Sequence, residues 1–302
     1  MKPFLTVYGH VAIDQIIGVK DFPLEDTSVD VINKSTHLGG TGTNIAVHAA
    51  RLGVPTAISA FIGKDFPDDF KRMIEGSGVD TDELKVVEGY DTSQAMIVNN
   101  SGFHQKVLFY QGPQGVASKI GMRCIAKASE SEHIHICTGD PLYYLDIMDD
   151  IKGKMAIDPA QEIHRIWTAD YFSRAVEKTH SLFCNKYEFE SVKKYLGIES
   201  EKDIDIPLFV CTMGDDGSMA MIDGESFSVP AVKPRKVADT TGAGDSFRGG
   251  FYAGLYHGLD VHESLIVGAA TSSFIIEEPG ALTAEPTWDM VMERAEPYLK
   301  MI

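Results

Sequence analysis

The sequence predicts an α/β fold, namely a three-layer αβα body with a mostly parallel sheet, together with a small β-sheet lid. The main observation is a series of short apolar runs separated by helix-like spacers, at residues 133–137, 154–157, 181–184 and 208–212. Such alternation is typical of parallel strands joined by crossover helices. Three helical stretches follow in the last third of the chain, around 244–257, 263–276 and 287–298.

The beginning of the chain contributes further elements of the same body. Residues 4–7 form an apolar run typical of a buried strand, and residues 56–62 form a second strand-like run. Between these runs, residues 45–52 have the length and composition of a helix, which Gly53 ends. No linker rich in Pro, Gly or Ser divides the sequence, so we expect a single domain over residues 1–302.

A small β excursion is predicted from two separate parts of the chain. Residues 28–38 alternate weakly between apolar and polar, and residues 94–98 and 105–110 are strand candidates joined by a turn. We expect segments of about 15–38 and 90–110 to form this sheet. Because it can cover the end of the main sheet, where open α/β folds bind ligands, the excursion would act as a lid.

The charge balance of the chain is strongly acidic. It contains 44 Asp or Glu and 27 Lys or Arg, which gives a formal net charge of −17. Nucleic-acid phosphates and anionic lipid headgroups are normally captured by clustered Lys and Arg, so we expect neither a nucleic acid nor a membrane as a partner. Hydrophobic residues make up 44% and charged residues 24%, which is the balance of a folded globular protein.

The cysteines and the first residues bear on where the protein works. The four cysteines lie in or beside apolar runs and form no C-x-x-C pair; they are Cys124, Cys137, Cys184 and Cys211. Buried, reduced thiols in a reducing compartment fit this pattern. The first residues lack a signal-peptide pattern, and no stretch reaches the ~20 apolar residues that span a bilayer. We therefore expect a cytoplasmic protein.

The most informative segment is D-T-T-G-A-G-D at residues 239–245, directly before a predicted helix. Small residues let the backbone approach a ligand, and the free N–H groups of a first helical turn form an anion site. Asp245 is unusual there, because an anionic ligand repels a carboxylate unless that carboxylate accepts a proton. In a phosphoryl transfer, Asp245 can take the proton of an attacking hydroxyl. The alternative is a helix N-terminal carboxylate that follows a glycine turn.

A second segment, G-G-T-G-T-N at residues 39–44, precedes the predicted helix near the beginning of the chain. Its exposed backbone and the Asn44 amide can hydrogen-bond to the hydroxyls of a polyol. Asp14, at the end of the first strand region, can hold two vicinal hydroxyls with its two oxygens. The alternative for Asp14 is a turn aspartate at a strand end.

A third pair of polar residues, Asn185 and Glu188, follows the apolar run that ends at Cys184. An Asn and a Glu three residues apart on one helical turn can hold a hydrated Mg²⁺, which prefers oxygen ligands and water. The alternative is a helix N-cap with Glu188 in the capping-box position, and the two roles are compatible.

Together these segments resemble the ribokinase-like (PfkB) family of carbohydrate and nucleoside kinases. The late motif is the most specific and matches over residues 239–245, while the N-x-x-E motif matches at Asn185 and Glu188. The early motif matches at Gly39, Gly40, Gly42, Asn44 and Ala46. The three motifs occur in the family's order, and the resemblance covers residues 14–280.

The resemblance implies a Rossmann-like α/β body with a β lid, and transfer of a phosphoryl group from ATP to a primary hydroxyl with the help of Mg²⁺. Asp245 would be the catalytic base. The remaining residues of the reaction site would be the anion-hole amides of Gly242, Ala243 and Gly244, and the sugar-binding residues Asp14, Gly40 and Asn44. A homodimer paired through the lid is also implied.

The same resemblance implies a nucleotide site and a cation site. Thr212, Gly214 and Gly217 look like the family's ATP loop, and Asn185 would lie beside the nucleotide, with Glu188 and Asn185 holding Mg²⁺ through water. Asp239 would belong to the substrate-binding loop and, with Thr241, to a monovalent-cation site.

The choice of substrate follows from smaller differences. Thr41 stands where ribokinases usually carry Lys, and the motifs are more similar to those of archaeal-type nucleoside kinases. We therefore predict an ATP-dependent nucleoside kinase of broad base specificity, which acts on the ribose 5′-hydroxyl. Phe103, Tyr110 or residues 158–161 would clamp the base. The alternatives are a kinase for ribose or a ketohexose, and a non-catalytic binding protein of the same fold.

Overall fold

The structure is a computed structural model that describes residues 2–102, 104–222 and 224–301. Within these residues the strands are β1 Leu5–Tyr8, β2 Ala12–Val19, β3 Val31–Gly39, β4 Thr56–Ile62, β5 Val79–Val86, β6 Ser93–Asn100, β7 Gln105–Tyr110, β8 His133–Ile136, β9 Lys154–Ile157, β10 Ser181–Asn185, β11 Leu208–Thr212, β12 Ser218–Ile222 and β13 Glu225–Val229. The α-helices are α1 Thr41–Arg51, α2 Asp68–Gly76, α3 Ala117–Ile120, α4 Ala126–Glu130, α5 Pro141–Ile147, α6 Ala169–Val176, α7 Lys186–Leu196, α8 Ala243–Tyr256, α9 Val261–Ile275 and α10 Trp288–Leu299.

The large sheet of the described residues has nine strands in the order β13-β12-β11-β10-β9-β8-β1-β4-β5. The strands from β11 to β5 run parallel to one another. At one edge β12 and β13 form an antiparallel hairpin, which the sequence analysis did not predict. The α/β fold class with a mostly parallel sheet is confirmed.

Helices cover both faces of the large sheet because the strands are apolar on both sides. On β1, Leu5 and Val7 pack into a core with residues of α1, α8, α9 and α10. Tyr8, which faces the opposite side, packs into a second core with residues of α5, α6 and α7. Strands that are buried on both faces are typical of parallel sheets with crossover helices.

The small sheet has four strands in the order β3-β2-β6-β7. Its inner strands β2 and β6 run parallel, and the outer strand of each pair is antiparallel to its neighbour. Only residues 9–11 separate β1 of the large sheet from β2 of the small sheet. The small sheet therefore begins at the carboxyl edge of the large one, where open α/β folds bind ligands.

The thiols and the lengths of the helices complete the description of the fold. All four cysteines are buried, free thiols, as predicted from their apolar surroundings. In the described part of the chain, no helix is both long and apolar enough to span a membrane.

Candidate active site

The N-terminus of α8 carries the late glycine motif and opens onto the carboxyl edge of the sheet. Gly242 caps the helix with a left-handed backbone (φ 76°), and a Cβ there would lie 2.5 Å from the Cβ of Ala281. The Ala243 amide donates a hydrogen bond to the Thr240 carbonyl oxygen at 3.2 Å. Across the described residues, the Gly242 and Gly244 amides have no backbone acceptor. Of the three predicted anion-hole amides, these two are therefore free to bind a ligand.

Asp245 and Asn44 lie side by side although 201 residues separate them in sequence. The Asn44 side-chain amide donates a 2.7 Å hydrogen bond to Oδ2 of Asp245. Helices α1 and α8 can approach this closely because Gly249 faces α1, where a Cβ would lie 2.7 Å from the Cβ of His48. Burial raises the pKa of Asp245 to about 6, although the Asn44 hydrogen bond and the nearby Arg248 cation oppose that rise.

Asp14 lies on β2 and faces the same site. Burial, and next the negative charge of Asp245, raise the pKa of the Asp14 carboxyl to about 6. No side chain or backbone group among the described residues donates a hydrogen bond to this carboxylate. Because Asp14 is half-buried and its oxygens have no partner in the described residues, an ionised Asp14 is poised to accept hydrogen bonds from a ligand.

The Gly-Gly pair before α1 leaves room for Asp14 and for the strand end. A Cβ at Gly39 would lie 2.1 Å from Oδ2 of Asp14, so that only glycine fits beside the carboxylate. Gly40 has a φ of +97°, and a Cβ there would lie 2.3 Å from the carbonyl oxygen of His10. That same oxygen accepts a hydrogen bond from the Gly42 amide at 3.1 Å, which fixes the start of α1.

Replacement of Gly39 by alanine is expected to impair the acceptor site alone. The added methyl group would displace the Asp14 carboxylate, and a displacement of about 1 Å at a reaction site can cost roughly 100-fold in rate. We expect kcat/KM for the acceptor to fall by about that factor with an unchanged KM for ATP. Gly76→Ala is the matched control, because a Cβ on Gly76 meets no atom within 4 Å. Equal activity of the two variants would contradict this assignment.

A polar cleft of about 900 Å³ extends from Asp245 to the carboxyl ends of β9, β10 and β11. Asn185 and Glu188 line it and form a capping box at the start of α7. The Asn185 amide donates to Oε2 of Glu188 at 2.8 Å, while Oδ1 of Asn185 accepts from the Glu188 amide. Burial, followed by the negative charge of Asp158, raises the pKa of Glu188. The capping role predicted as an alternative is therefore present.

A second, more apolar cavity of about 430 Å³ adjoins the polar cleft. It lies between the turn after β11 and the helices α8 and α9. Its apolar wall includes Val232, Pro234, Phe247, Ala269 and Ile276, and its loop side includes Thr212, Gly214 and Gly217. Thr212, Gly214, Thr240 and Gly244 line both cavities. A planar ring can therefore occupy the apolar cavity while an attached polyphosphate reaches Asp245.

Sequence reasoning missed a buried ion pair beneath the cleft. Arg248 donates from Nε to Oδ2 of Asp158 at 2.5 Å and from Nη1 to the Gly244 carbonyl oxygen at 3.1 Å. Burial alone would raise the pKa of Asp158, but the Arg248 cation and His135 lower it to about 2. Arg248 thus ties the end of β9 to the first turn of α8. The sequence does contain one indication of a buried cation, because Arg248 is the single charged residue in the run 246–251, whose other residues are apolar or small.

Asp239 closes the loop beneath α8. Its Oδ1 accepts from the backbone and hydroxyl of Thr241, at 2.9 and 2.8 Å, and its Oδ2 accepts from the Gly280 amide at 2.9 Å. Burial would raise the pKa of Asp239, but these hydrogen bonds lower it. Because both oxygens are engaged, Asp239 stabilises the loop, and its contact with substrate or with a monovalent cation stays a prediction.

The residues predicted to clamp the base do not lie together in the structure. Tyr110 ends β7 and is 43% exposed, while Phe103 lies outside the described residues. Within residues 158–161, the Asp158 carboxylate is bound to Arg248, and Ala160 and Gln161 line the polar cleft. None of these contacts places an aromatic ring beside Asp14.

Known nucleoside kinases are similar to this chain over almost its whole length. The nucleoside kinase of Methanocaldococcus jannaschii is 31% identical over 97% of this chain and 97% of its own. The nucleoside kinase of Methanothermobacter thermautotrophicus is 29% identical over 96% and 94%. The crystal structure of the M. jannaschii nucleoside kinase superposes with a TM-score of 0.91 and covers 98% of this chain and 99% of that one. Residues 2–288 match the pfkB family of carbohydrate kinases, and the chain belongs to that family.

Proposed function

We propose that this protein is an ATP-dependent nucleoside kinase of broad base specificity that phosphorylates the ribose 5′-hydroxyl. The observation that carries the proposal is the pair of carboxylates at the sheet edge. Asp14 has no hydrogen-bond donor in the described residues, and Asp245 is held by Asn44 at the start of a helix with free amides. Similarity to archaeal nucleoside kinases over nearly the whole chain supports a nucleoside as the acceptor.

The proposed reaction assigns one role to each group. Asp14 and the backbone near Gly40 bind the two vicinal ribose hydroxyls. Asp245 accepts the proton of the 5′-hydroxyl, whose oxygen forms a bond to the γ-phosphorus while the bond to the β-phosphate oxygen breaks and ADP leaves. The free amides of Gly242 and Gly244 donate hydrogen bonds to the transferring phosphoryl group and stabilise its charge. ATP would occupy the apolar cavity beside Thr212, Gly214 and Gly217.

The polar cleft suits Mg²⁺ bound mainly through water and phosphate. No group of three or more His, Cys, Asp or Glu side chains in the described residues could hold a metal ion directly. Glu188 and Asn185 line the cleft, and Mg²⁺ commonly takes only one or two carboxylates while it keeps waters and substrate phosphates as its other ligands. When bound, the ion would neutralise charge on the polyphosphate.

A substrate panel tests the proposed function. Purified protein, ATP and Mg²⁺ are incubated with adenosine, cytidine, inosine, guanosine, ribose or fructose, and the phosphorylated product is identified. We expect at least two nucleosides to be phosphorylated at the 5′ position with higher kcat/KM than either sugar. If ribose or fructose outpaced every nucleoside, the protein would be a sugar kinase. Binding without turnover of any compound would leave only the non-catalytic alternative.

The rate should depend on pH through Asp245. With a pKa of about 6, Asp245 is ionised above that pH and can accept the hydroxyl proton, whereas below it the carboxyl already carries a proton. We therefore expect kcat/KM to be constant from pH 7 to 8 and to fall by about tenfold per pH unit on the acid side of pH 6. Protonation of Asp14 in the same range would steepen that fall. A profile that stayed flat down to pH 5 would contradict a base with a raised pKa.

We propose that the protein forms a homodimer in which the two copies pair through the small sheet, which serves as the lid. Strand β3 is an edge strand, and it exposes Val31 and Ile32. An exposed apolar edge strand is available for pairing with a second copy. Sedimentation velocity should give a dimer for the wild type and a monomer for Ile32→Glu, with Met290→Glu on α10 as the control. A monomeric wild type would refute the dimer.

The remaining expectations concern partners and location. The net charge of −17 supports small molecules rather than nucleic acid or membrane as partners. Free, buried thiols support a reducing compartment, and the cytoplasmic location stays a prediction.

A further inference from the structure

Another cavity, of about 380 Å³, lies at the opposite edge of the large sheet from the active site. This amino-edge cavity adjoins the first residues of four parallel strands, namely His133 of β8, Lys154 of β9, Ser181 of β10 and Leu208 of β11. The two active-site cavities lie at the carboxyl edge of the same sheet, and among the described residues they share no lining residue with this one. A ligand in the amino-edge cavity would therefore not contact the substrates proposed for those cavities.

The register of the strands places polar side chains in this cavity. His133 pairs with Lys154, and Ser181 pairs with Leu208, so the members of each pair point to one face of the sheet. Both pairs lie on the face that packs against α8, but that helix ends at Tyr256. The beginnings of the strands are therefore only partly covered, and Lys154 is exposed.

Aromatic rings form much of the apolar wall of the cavity. The aromatic side chains of the lining are Phe4, Phe183, Phe251, Tyr252 and Tyr256. Phe183 and Phe251 are each 1% exposed, whereas Tyr256 is 40% exposed, so the cavity extends from the buried core to a ring at the surface. The rings of Phe4 and Tyr256 lie 5.2 Å apart between centroids. A cavity of this volume with aromatic walls suits one flat ring or a fused pair of rings.

The polar groups of the cavity are one ammonium group, one carboxylate and neutral hydrogen-bonding groups. Lys154 is the one Lys or Arg among the described lining residues, and Glu132, which is 59% exposed, is the one Asp or Glu. Glu132 lies near His133, with 3.7 Å between Oε1 and Nε2. Burial, followed by the positive charges of Lys154 and His180, lowers the pKa of His133 to about 4, so its imidazole is neutral at pH 7. The Ser181 hydroxyl and Nδ1 of His180 are hydrogen-bonded at 2.8 Å.

A carboxylate on a flat ring fits these groups better than a phosphate or an amine. A carboxylate carries one negative charge, which the single ammonium group of Lys154 balances. Phosphate sites instead combine several backbone amides or Arg guanidinium groups. An amine would lie beside the Lys154 cation, and like charges repel. The neutral His133 imidazole keeps one N–H group, which can donate a hydrogen bond to a carboxylate oxygen.

We propose that the amino-edge cavity binds a small aromatic carboxylate, with its ring among the aromatic side chains and its carboxylate on Lys154 and His133. The proposal goes beyond nucleoside phosphorylation, because the cavity lies outside both active-site cavities. The ring would pack beside Tyr252 and Tyr256 of α8, and the Lys154 ammonium would donate to the carboxylate at the mouth of the cavity.

Calorimetric titration of the full chain with indole-3-carboxylate tests the site. We expect the probe to bind, and we expect its Kd to rise by about 10-fold in Lys154→Met, which is the lower end of the loss typical of a hydrogen bond to a charged group. Lys154→Arg keeps the positive charge and should retain most of the affinity. Lys152→Met is the matched control, because Lys152 is exposed, lies two residues away and does not line the cavity.

Two analogues of the probe and a further variant separate the charge from the ring. Indole-3-carboxamide keeps the ring without the charge and should bind about 10-fold more weakly than the acid. Tryptamine carries the opposite charge and should bind no better than the amide. Tyr256→Ala removes a ring at the mouth of the cavity and should weaken the binding of acid and amide alike.

Four results would overturn the proposal. They are an equal Kd for the acid and the amide, tighter binding of tryptamine than of the acid, no binding of the acid at millimolar concentrations, and an unchanged Kd in Lys154→Met. In the last case a weaker binding of the acid to Lys233→Met, whose side chain lines the apolar active-site cavity, would assign the probe to that cavity instead.

Discussion

Asp245→Asn is expected to lower kcat by about 10²–10⁴-fold, which is the range that general-base catalysis contributes. The amide of the variant has nearly the shape of the carboxylate, but it cannot accept the hydroxyl proton. Its carbonyl oxygen can still accept the hydrogen bond that Asn44 donates. We therefore expect nearly unchanged dissociation constants for nucleoside and ATP, measured by calorimetry, alongside the loss of turnover.

The thermal stability of Asp245→Asn separates a lost base from a lost fold. Because burial raises the pKa of Asp245 above its unfolded value, the folded state loses stability as the pH rises through about 6. At pH 7.5 the ionised carboxylate thus destabilises the protein, and the neutral amide should give an equal or higher Tm. An unchanged kcat would remove Asp245 from the mechanism. A lower Tm would attribute lost activity to the fold.

Arg248→Met is expected to destabilise the protein by about 3–5 kcal/mol, the usual result of removing one partner of a buried ion pair. Arg248 is 5% exposed and Asp158 is 1% exposed, so the Asp158 carboxylate would be left without its main counter-charge. Urea unfolding at pH 7.5 measures the loss. Lys300→Met, which breaks an exposed pair with Glu296, should cost less than about 1 kcal/mol and serves as the control.

A double-mutant cycle isolates the contribution of the pair. Asp158→Asn removes the stranded charge, so that Arg248→Met in the Asp158→Asn background should cost less than it does in the wild type. Additive losses in the cycle would show that Arg248 acts through packing alone. Because Arg248 also donates to the Gly244 carbonyl oxygen, the kcat of any folded Arg248 variant should fall, since the first turn of α8 loses a support.

The parts of the site that can be predicted from the sequence are those that depend on residues close together in the chain. The glycine motif before Asp245 and the Asn185–Glu188 box each lie within one short segment, where helix-terminus chemistry indicates their roles. The contact of Asn44 with Asp245 depends instead on two helices that meet at Gly249. No short segment contains that information.

Other features depend on register or on pairs distant in sequence. Arg248 and Asp158 are 90 residues apart, and neither residue has a sequence pattern that predicts its partner. The face to which Tyr110 points depends on strand register, since a shift of one residue exchanges the two faces of a sheet. The β12–β13 hairpin was missed because its short strands carry little periodicity of their own.

The placement of one acidic group on the small sheet and of the other on the body bears on water as a competing acceptor. Asp14 lies on β2 of the small sheet, whereas Asp245 lies on α8 of the body, and residues 9–11 are the direct link from β1 to β2. Any rotation of the small sheet about that link would change the distance between the two carboxylates. A molecule that engages both must be large enough to bridge them. Water lacks the vicinal hydroxyls that Asp14 is proposed to bind, and the wasteful hydrolysis of ATP in the absence of an acceptor should therefore be slow.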